Sequence, residues 1–135
     1  MNIALTAHNS KKELMVQFCI AYAPILRQHH LIATGTTARY VEHNAGLTVE
    51  SLMTGVQGGY EQLFDRVVHN KVDLLLFFRD ITGATADDCL VPLLRRCDAY
   101  AIPYATNMGT AEILVRSLEQ DAFEWRTILN EEFNF

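Results

Sequence analysis

The sequence predicts a single doubly wound α/β domain over residues 1–135, with a mostly parallel five-stranded sheet and helices on both faces. Three observations predict it. Short apolar runs alternate five times with segments of helical periodicity. One run, Leu74-Leu75-Leu76-Phe77-Phe78, is apolar without alternation, as a strand covered on both faces should be. The runs also end in small polar residues, and helical patterns start directly after them.

Taken in order, residues 2–6 read as the first strand. Ser10-Lys11-Lys12-Glu13 has the spacing of a capping box and opens a helix. Leu14, Phe18, Ala21, Tyr22 and Ile25 then recur as one buried stripe, with Pro24 bending the helix or marking its last turn. Residues 30–33 form a second strand and 37–43 a short helix closed by Asn44-Ala45-Gly46. Residues 47–52 are a weaker third strand. After Gly58-Gly59, a helix carries Tyr60, Leu63, Phe64, Val67 and Val68 on one face. Residues 72–78 are the fourth strand, and a loop through Gly83 and Asp87-Asp88 leads to a helix with Leu90, Leu93, Leu94 and Cys97 inward. Residues 103–105 are the last strand and 110–118 the last regular helix.

Composition narrows the function classes. Half of the 135 residues are apolar, which fits one globular core of common domain size. The formal net charge of −5 and the lack of a Lys/Arg cluster argue against a nucleic-acid partner. No apolar run is long enough to cross a bilayer, and Met1-Asn2-Ile3-Ala4 lacks a basic leader, so no membrane partner is expected. Cys19, Cys89 and Cys97 have neither paired nor metal-like spacing. Cys19 and Cys97 fall within apolar patterns and read as core, so a reducing cytoplasm is the expected setting.

In open parallel sheets the ligand sits outside the carboxyl ends of the strands. The residues expected there are His8-Asn9, Thr34-Gly35-Thr36-Thr37, Thr54-Gly55 with Gly58-Gly59-Tyr60, Arg79-Asp80 and Thr106-Asn107. A strand that ends in Thr-Gly-Thr-Thr at a helix start can offer backbone N–H groups, the positive helix end and three hydroxyls to one anion. An ordinary N-cap with a turn glycine is the simpler reading of the same four residues. Lys12 adds to the anion reading: the helix dipole disfavours a cation in a first turn, and a bound anion would explain one.

These segments resemble the methylglyoxal synthases. The resemblance runs through Ile3-Ala4-Leu5-Thr6-Ala7-His8, Ala33-Thr34-Gly35-Thr36-Thr37, Gly55-Val56-Gln57-Gly58-Gly59, the stretch from Lys71 to Asp80, and Ile102-Pro103-Tyr104-Ala105-Thr106-Asn107. It implies a lyase that takes a proton from dihydroxyacetone phosphate, stabilises an enediolate and expels inorganic phosphate to leave methylglyoxal. That chemistry uses no metal and no cofactor. It also implies that Lys12, Thr34, Gly35, Thr36 and Thr37 bind phosphate, with Thr54-Gly55 in place of a Ser-Gly pair. By the same resemblance His8 contacts substrate, Arg95 reaches a neighbouring subunit's site, and the assembly is a homo-oligomer, as a hexamer. The implied ligand is a small phosphorylated metabolite or inorganic phosphate. Related domains regulate larger enzymes, so a degenerate metabolite-binding module is the alternative reading.

The resemblance breaks at the proton-transfer groups. Tyr60 stands where the family carries its catalytic aspartate, and Asn9 where it carries a second. The family's loop histidine falls on Asp87 or Ala86 in a loop one residue shorter, and its C-terminal arginine has no counterpart before Glu131-Glu132-Phe133-Asn134-Phe135. A phenol of pKa ~10 is protonated at neutral pH whereas a carboxylate near ~4 is ready as a base. Tyr60 could serve only if a cation such as His8 or Lys12 lowered its pKa; Asp87 is the other candidate base. The simplest reading of Tyr60 is packing, as one more member of the stripe with Leu63, Phe64 and Val67. Phe123, Trp125, Phe133 and Phe135 make an aromatic tail that either docks on its own core or meets a second subunit.

Overall fold

The computed structural model of the chain describes residues 1–82 and 89–133. Five strands, β1 (Asn2–Ala7), β2 (His30–Ala33), β3 (Val49–Ser51), β4 (Leu74–Phe78) and β5 (Tyr104–Ala105), form one sheet in the order β3-β2-β1-β4-β5. Every pairing is parallel, so the sheet is wholly and not just mostly parallel among the described residues. Leaving β1 in the centre, the chain builds outward through β2 and β3, then crosses back to β4 beside β1. The reversal falls between β1 and β4.

Among the described residues seven α-helices cover the sheet: α1 (Lys12–Ala21), α2 (Ala23–Leu26), α3 (Gly35–Ala45), α4 (Gly59–Val68), α5 (Leu90–Ala99), α6 (Met108–Leu118) and α7 (Glu124–Phe133). Strand side chains alternate between two cores. Ile3, Leu5, Leu31, Leu74, Leu76 and Phe78 pack under α1, α2, α3 and α6. Ala4, Ile32, Leu75 and Phe77 pack under α4 and α5. This is why β4 shows no alternation in sequence: each of its faces is fully buried. Cys19 lies in the first core and Cys97 in the second, and burial pushes each thiol up to about 12.

Several sequence expectations shift. Ser10 opens no capping box; residues Asn9–Lys11 form a 3₁₀ turn, and the Ser10 hydroxyl donates to the Asp80 carboxylate at 2.6 Å. The buried stripe of α1 is Met15, Val16, Phe18 and Cys19, while Leu14 and Ala21 face solvent. The expected phase ran through Pro24 as if one helix continued. The helix instead ends at Tyr22, and Pro24 sits in the first turn of α2, where its missing N–H costs nothing. Ile25 is therefore buried by a separate helix.

The tail forms a seventh helix that the periodicity did not reveal. Phe123 enters the first core, so at that residue the tail docks on its own chain, while Trp125 is partly exposed. The anchor is Arg126, which is only 2 % exposed. Its guanidinium donates to the carbonyls of Tyr100, Ala101 and Val72, to Asn70 Oδ1, and to Asp73 Oδ1 at 3.3 Å. Asn70 and Ala101 both have φ of 53°, a left-handed backbone that costs a non-glycine residue about 1 kcal/mol or more. These turns feed β4 and β5, so one buried arginine ties α7 to the amino ends of both strands.

Removing that guanidinium leaves buried carbonyls and a half-buried carboxylate without their donor. Arg126→Ala should lower the unfolding free energy by about 3 kcal/mol in urea denaturation. A loss below about 1 kcal/mol would mean the clasp carries little of the stability.

Candidate functional site

Three turns of the same shape open at the carboxyl edge of the sheet. His8 after β1, Thr34 after β2 and Thr54 after β3 have φ of −61°, −64° and −63° and ψ of 156°, 150° and 156°. Each hands an extended strand to a helical turn, and none of the three side chains caps the turn it precedes. The contrast is α6, after β5, where Asn107 Oδ1 accepts from the Thr110 N–H in ordinary fashion. The N-cap reading of Thr34 therefore fails. Its hydroxyl turns inward and pairs with the Thr6 hydroxyl at 2.9 Å in a fully buried contact.

Sheet register explains that pairing. Thr6 lies beside Phe77 on the α4 side of β1, and Thr34 follows Ile32 in the same phase. Thr6 was not anticipated as a site residue; a threonine at a core-facing strand position was the available signal. Thr37, in the first turn of α3, is 1 % exposed, and its hydroxyl has no hydrogen-bond partner among the described residues. A buried hydroxyl in that state is unusual.

Tyr60 belongs to the same inner group. Its ring stacks on Phe77, with centroids 5.8 Å apart and planes 15° from parallel. It lies so close over Gly55 that a Cβ there would meet Tyr60 Cε2 at 2.5 Å. Next to it, Gly59 passes so near the backbone that a Cβ would fall 2.0 Å from the Met53 carbonyl oxygen, so no larger residue fits. Burial raises the Tyr60 pKa above the usual phenol value, Cys89 adds to this, and a hydrogen bond with Thr6 opposes it. The idea that His8 or Lys12 would lower that pKa is thus corrected: desolvation wins and the phenol stays neutral. Its packing against the second core accords with the simple reading of the helix stripe.

His8 and Lys12 are held by the backbone. The Asp80 N–H donates to His8 Nδ1 at 2.8 Å, which puts the proton of the neutral imidazole on Nε2. The Asp80 carboxylate takes hydrogen bonds from Ser10, from the Thr82 hydroxyl and from the Thr82 N–H; these hold it well below the usual carboxylate range. Lys12 Nζ donates to the Ala7 carbonyl at 2.7 Å, so the ammonium folds back over the end of β1. Burial lowers its pKa.

The expected site residues do not all share one opening. Asn9, Lys12 and Thr36 line a cavity of about 510 Å³ between α1 and α3. Gly35 and Thr54 line a separate depression of about 310 Å³. Thr34 and Thr37 are buried beneath, and Tyr60 and Gly55 meet ring to backbone. Arg95 is exposed on α5. Asp87, Ala86 and Phe135 lie outside the described residues. Arg126, the arginine of the C-terminal helix, sits at the opposite end of the sheet, bound to the turns before β4 and β5. Among the described residues no cluster of His, Cys, Asp or Glu could hold a metal ion, and no helix is long and apolar enough to cross a membrane.

An open, wholly parallel sheet covered by helices, whose first three strands end in uncapped helical turns at the carboxyl edge, defines a class: the doubly wound α/β domains. The model of the MGS-like domain matches residues 14–106. A methylglyoxal synthase of Caldicellulosiruptor saccharolyticus is 46% identical over 131 residues, covering 96% of this chain and 93% of the relative. One of Bacillus subtilis is 47% identical over 133 residues, covering 98% and 97%. The crystal structure of methylglyoxal synthase from Elizabethkingia anophelis superposes with a TM-score of 0.77 at 32% identity, over 84% of this chain and 76% of that one. The chain belongs to the methylglyoxal synthase-like family.

The raised phenol pKa has a consequence in alkali. A group whose folded pKa lies above its unfolded value contributes stability fully below the unfolded value, ~10 for tyrosine, and loses it as pH rises through the folded one. Tyr60→Phe should therefore flatten the fall in melting temperature between about pH 10 and 12. Parallel curves for the two proteins would show that Tyr60 titrates as an ordinary phenol.

Proposed function

We propose that this chain binds a small phosphorylated metabolite at the carboxyl ends of β1, β2 and β3, and that it has lost most of its family's lyase activity. The carrying observation is the set of three uncapped turns beside Lys12. Thr34 spends its hydroxyl on Thr6, so the Thr36 and Thr37 amides of α3 have no side-chain cap, while the Gly35 N–H donates to the Met53 carbonyl at 3.0 Å. The half-buried Lys12 ammonium supplies charge, and Thr36 lines the same cavity. The Thr37 hydroxyl supplies a buried donor still in want of an acceptor.

The loss of chemistry rests on Tyr60. By resemblance it occupies the place of the carboxylate that takes the substrate proton, and Asn9 that of a second carboxylate. A neutral, stacked phenol with a raised pKa is a poor base at neutral pH. Losing a positioned base typically costs about 10²–10⁴ in rate. The ring also fills space against Gly55. His8, which by resemblance contacts substrate, is oriented at the end of β1 by the Asp80 N–H on its Nδ1. Binding and polarisation survive in this reading; proton abstraction does not.

A second reading, an active methylglyoxal synthase with relocated acid/base groups, is favoured by near-complete alignment with enzymes of that name. The proposal extends to a homo-oligomer, a hexamer by resemblance, in which exposed Arg95 meets a neighbouring subunit. A cytoplasmic setting is part of it, supported by the buried thiols of Cys19 and Cys97.

One experiment separates the readings. Purified protein is incubated with dihydroxyacetone phosphate, and methylglyoxal and inorganic phosphate are followed together. The binding reading expects no release above buffer but thermal stabilisation by inorganic phosphate, abolished in Lys12→Ala/Thr36→Ala. Release of both products, lost in Lys12→Ala, would establish the enzyme. Absence of stabilisation in the unaltered protein would remove the anion site.

The lowered Lys12 pKa sets a pH dependence. The ammonium must be charged to hold phosphate, so affinity should fall as pH rises through a value below the 10.5 of an ordinary lysine. Phosphate titrations from pH 7 to 10 should show that fall, and Lys12→Arg should shift it to higher pH.

A further inference from the structure

The cavity beside the proposed anion site extends well past what a three-carbon ligand needs. It lies between two facing helix stripes. On α3, Thr36, Tyr40 and Asn44 recur every four residues and share one face. On α1, Lys12 and Val16 repeat the same spacing, flanked by Glu13 and Gln17. The groove begins at Lys12 and Thr36 and runs to Asn44, eight residues along α3, a rise of about 12 Å. Its volume of about 510 Å³ falls in the range of pockets that hold ligands larger than a triose.

The lining specifies chemistry. Among the described residues it has one cation, Lys12, at the anion end and one carboxylate, Glu13, beside it. A second phosphate would find no cation along the lining and would meet Glu13, so the ligand body is uncharged. Gln17 and Asn44 offer amide donors and acceptors, and the Asn44 amide is oriented by its bond to the Tyr40 carbonyl at 2.8 Å. Tyr40 is 50% exposed, an aromatic residue left half in solvent at the wall of the groove. Amides and a carboxylate that exchange hydrogen bonds with vicinal hydroxyls, beside an aromatic ring for C–H faces, suit a carbohydrate.

We propose that the ligand is a sugar monophosphate of five or six carbons. Its phosphate lies at the Lys12–Thr36 end and its hydroxylated body runs between α1 and α3 along Tyr40. This rests on the anion site proposed above and names its ligand class. The groove is lined by neither Tyr60 nor Phe77, so a ligand body lying there keeps away from that stack, whereas Asn9 lines its anion end.

Calorimetric titration of the full chain with five probes tests it: inorganic phosphate, dihydroxyacetone phosphate, ribose 5-phosphate, glucose 6-phosphate and adenosine monophosphate. One of the two sugar phosphates should bind at least about tenfold tighter than dihydroxyacetone phosphate, the gain of one or two added hydrogen bonds. Tyr40→Ala and Gln17→Ala should each erase much of that gain while leaving the affinity for inorganic phosphate unchanged, and Tyr40→Phe should restore it. Equal affinity for all organic phosphates would overturn the sugar assignment and keep the anion site. Tightest binding of adenosine monophosphate would also overturn it, in favour of base recognition. Failure of inorganic phosphate to bind would remove the anion site itself.

Discussion

The handedness of parallel crossovers governs this molecule. With β1 central and every pairing parallel, each connection must leave the carboxyl edge, cross one face and return to the amino edge. All strand-to-helix turns therefore open on one side, and all helix-to-strand turns on the other. Residues distant in sequence, such as His8 and Asp80 or Thr6 and Thr34, become neighbours because β1 lies between β2 and β4.

The two edges have divided the work. The amino edge holds the fold together, where Arg126 satisfies two strained turns and the carboxylate of Asp73 with one guanidinium. Asp73 also accepts from the Asn2 N–H at 2.8 Å, so the same carboxylate links the start of β1 to the clasp. The carboxyl edge instead leaves polar groups uncommitted: turns without caps and a threonine hydroxyl without a partner. Such groups cost stability when buried, and the proposed anion site would give them partners.

In the proposed reading, Tyr60 is the side chain that separates binding from chemistry. Its stack on Phe77 and contact with Gly55 add packing to the second core, and its burial keeps the phenol neutral. Lys12, Asn9 and Thr36 line an opening on the α1–α3 side, away from that stack. The proposal has a ligand held there by charge and hydroxyls, away from the phenol.

Much of the fold was legible in the sequence because burial leaves a periodic trace. The unbroken apolar run of β4, the strand at His30–Ala33 and the helix after Gly58-Gly59 needed no tertiary knowledge. The Thr34–Thr37 cluster was legible as polar residues at a strand end, and Cys19 and Cys97 as core. What sequence could not fix was how competing local bonds resolve. Ser10 caps a helix in a peptide but reaches Asp80 here, and Thr34 gives up its cap for Thr6, because strands far apart in the chain bring in better partners. The break at Tyr22 moved the buried stripe of α1, and a lone arginine in a polar tail became the clasp of α7. Periodicity reports which residues leave water, so the sequence alone determined strand order of succession and core. Partner choice among polar groups depends on distances across the sheet, and only the tertiary structure decided it.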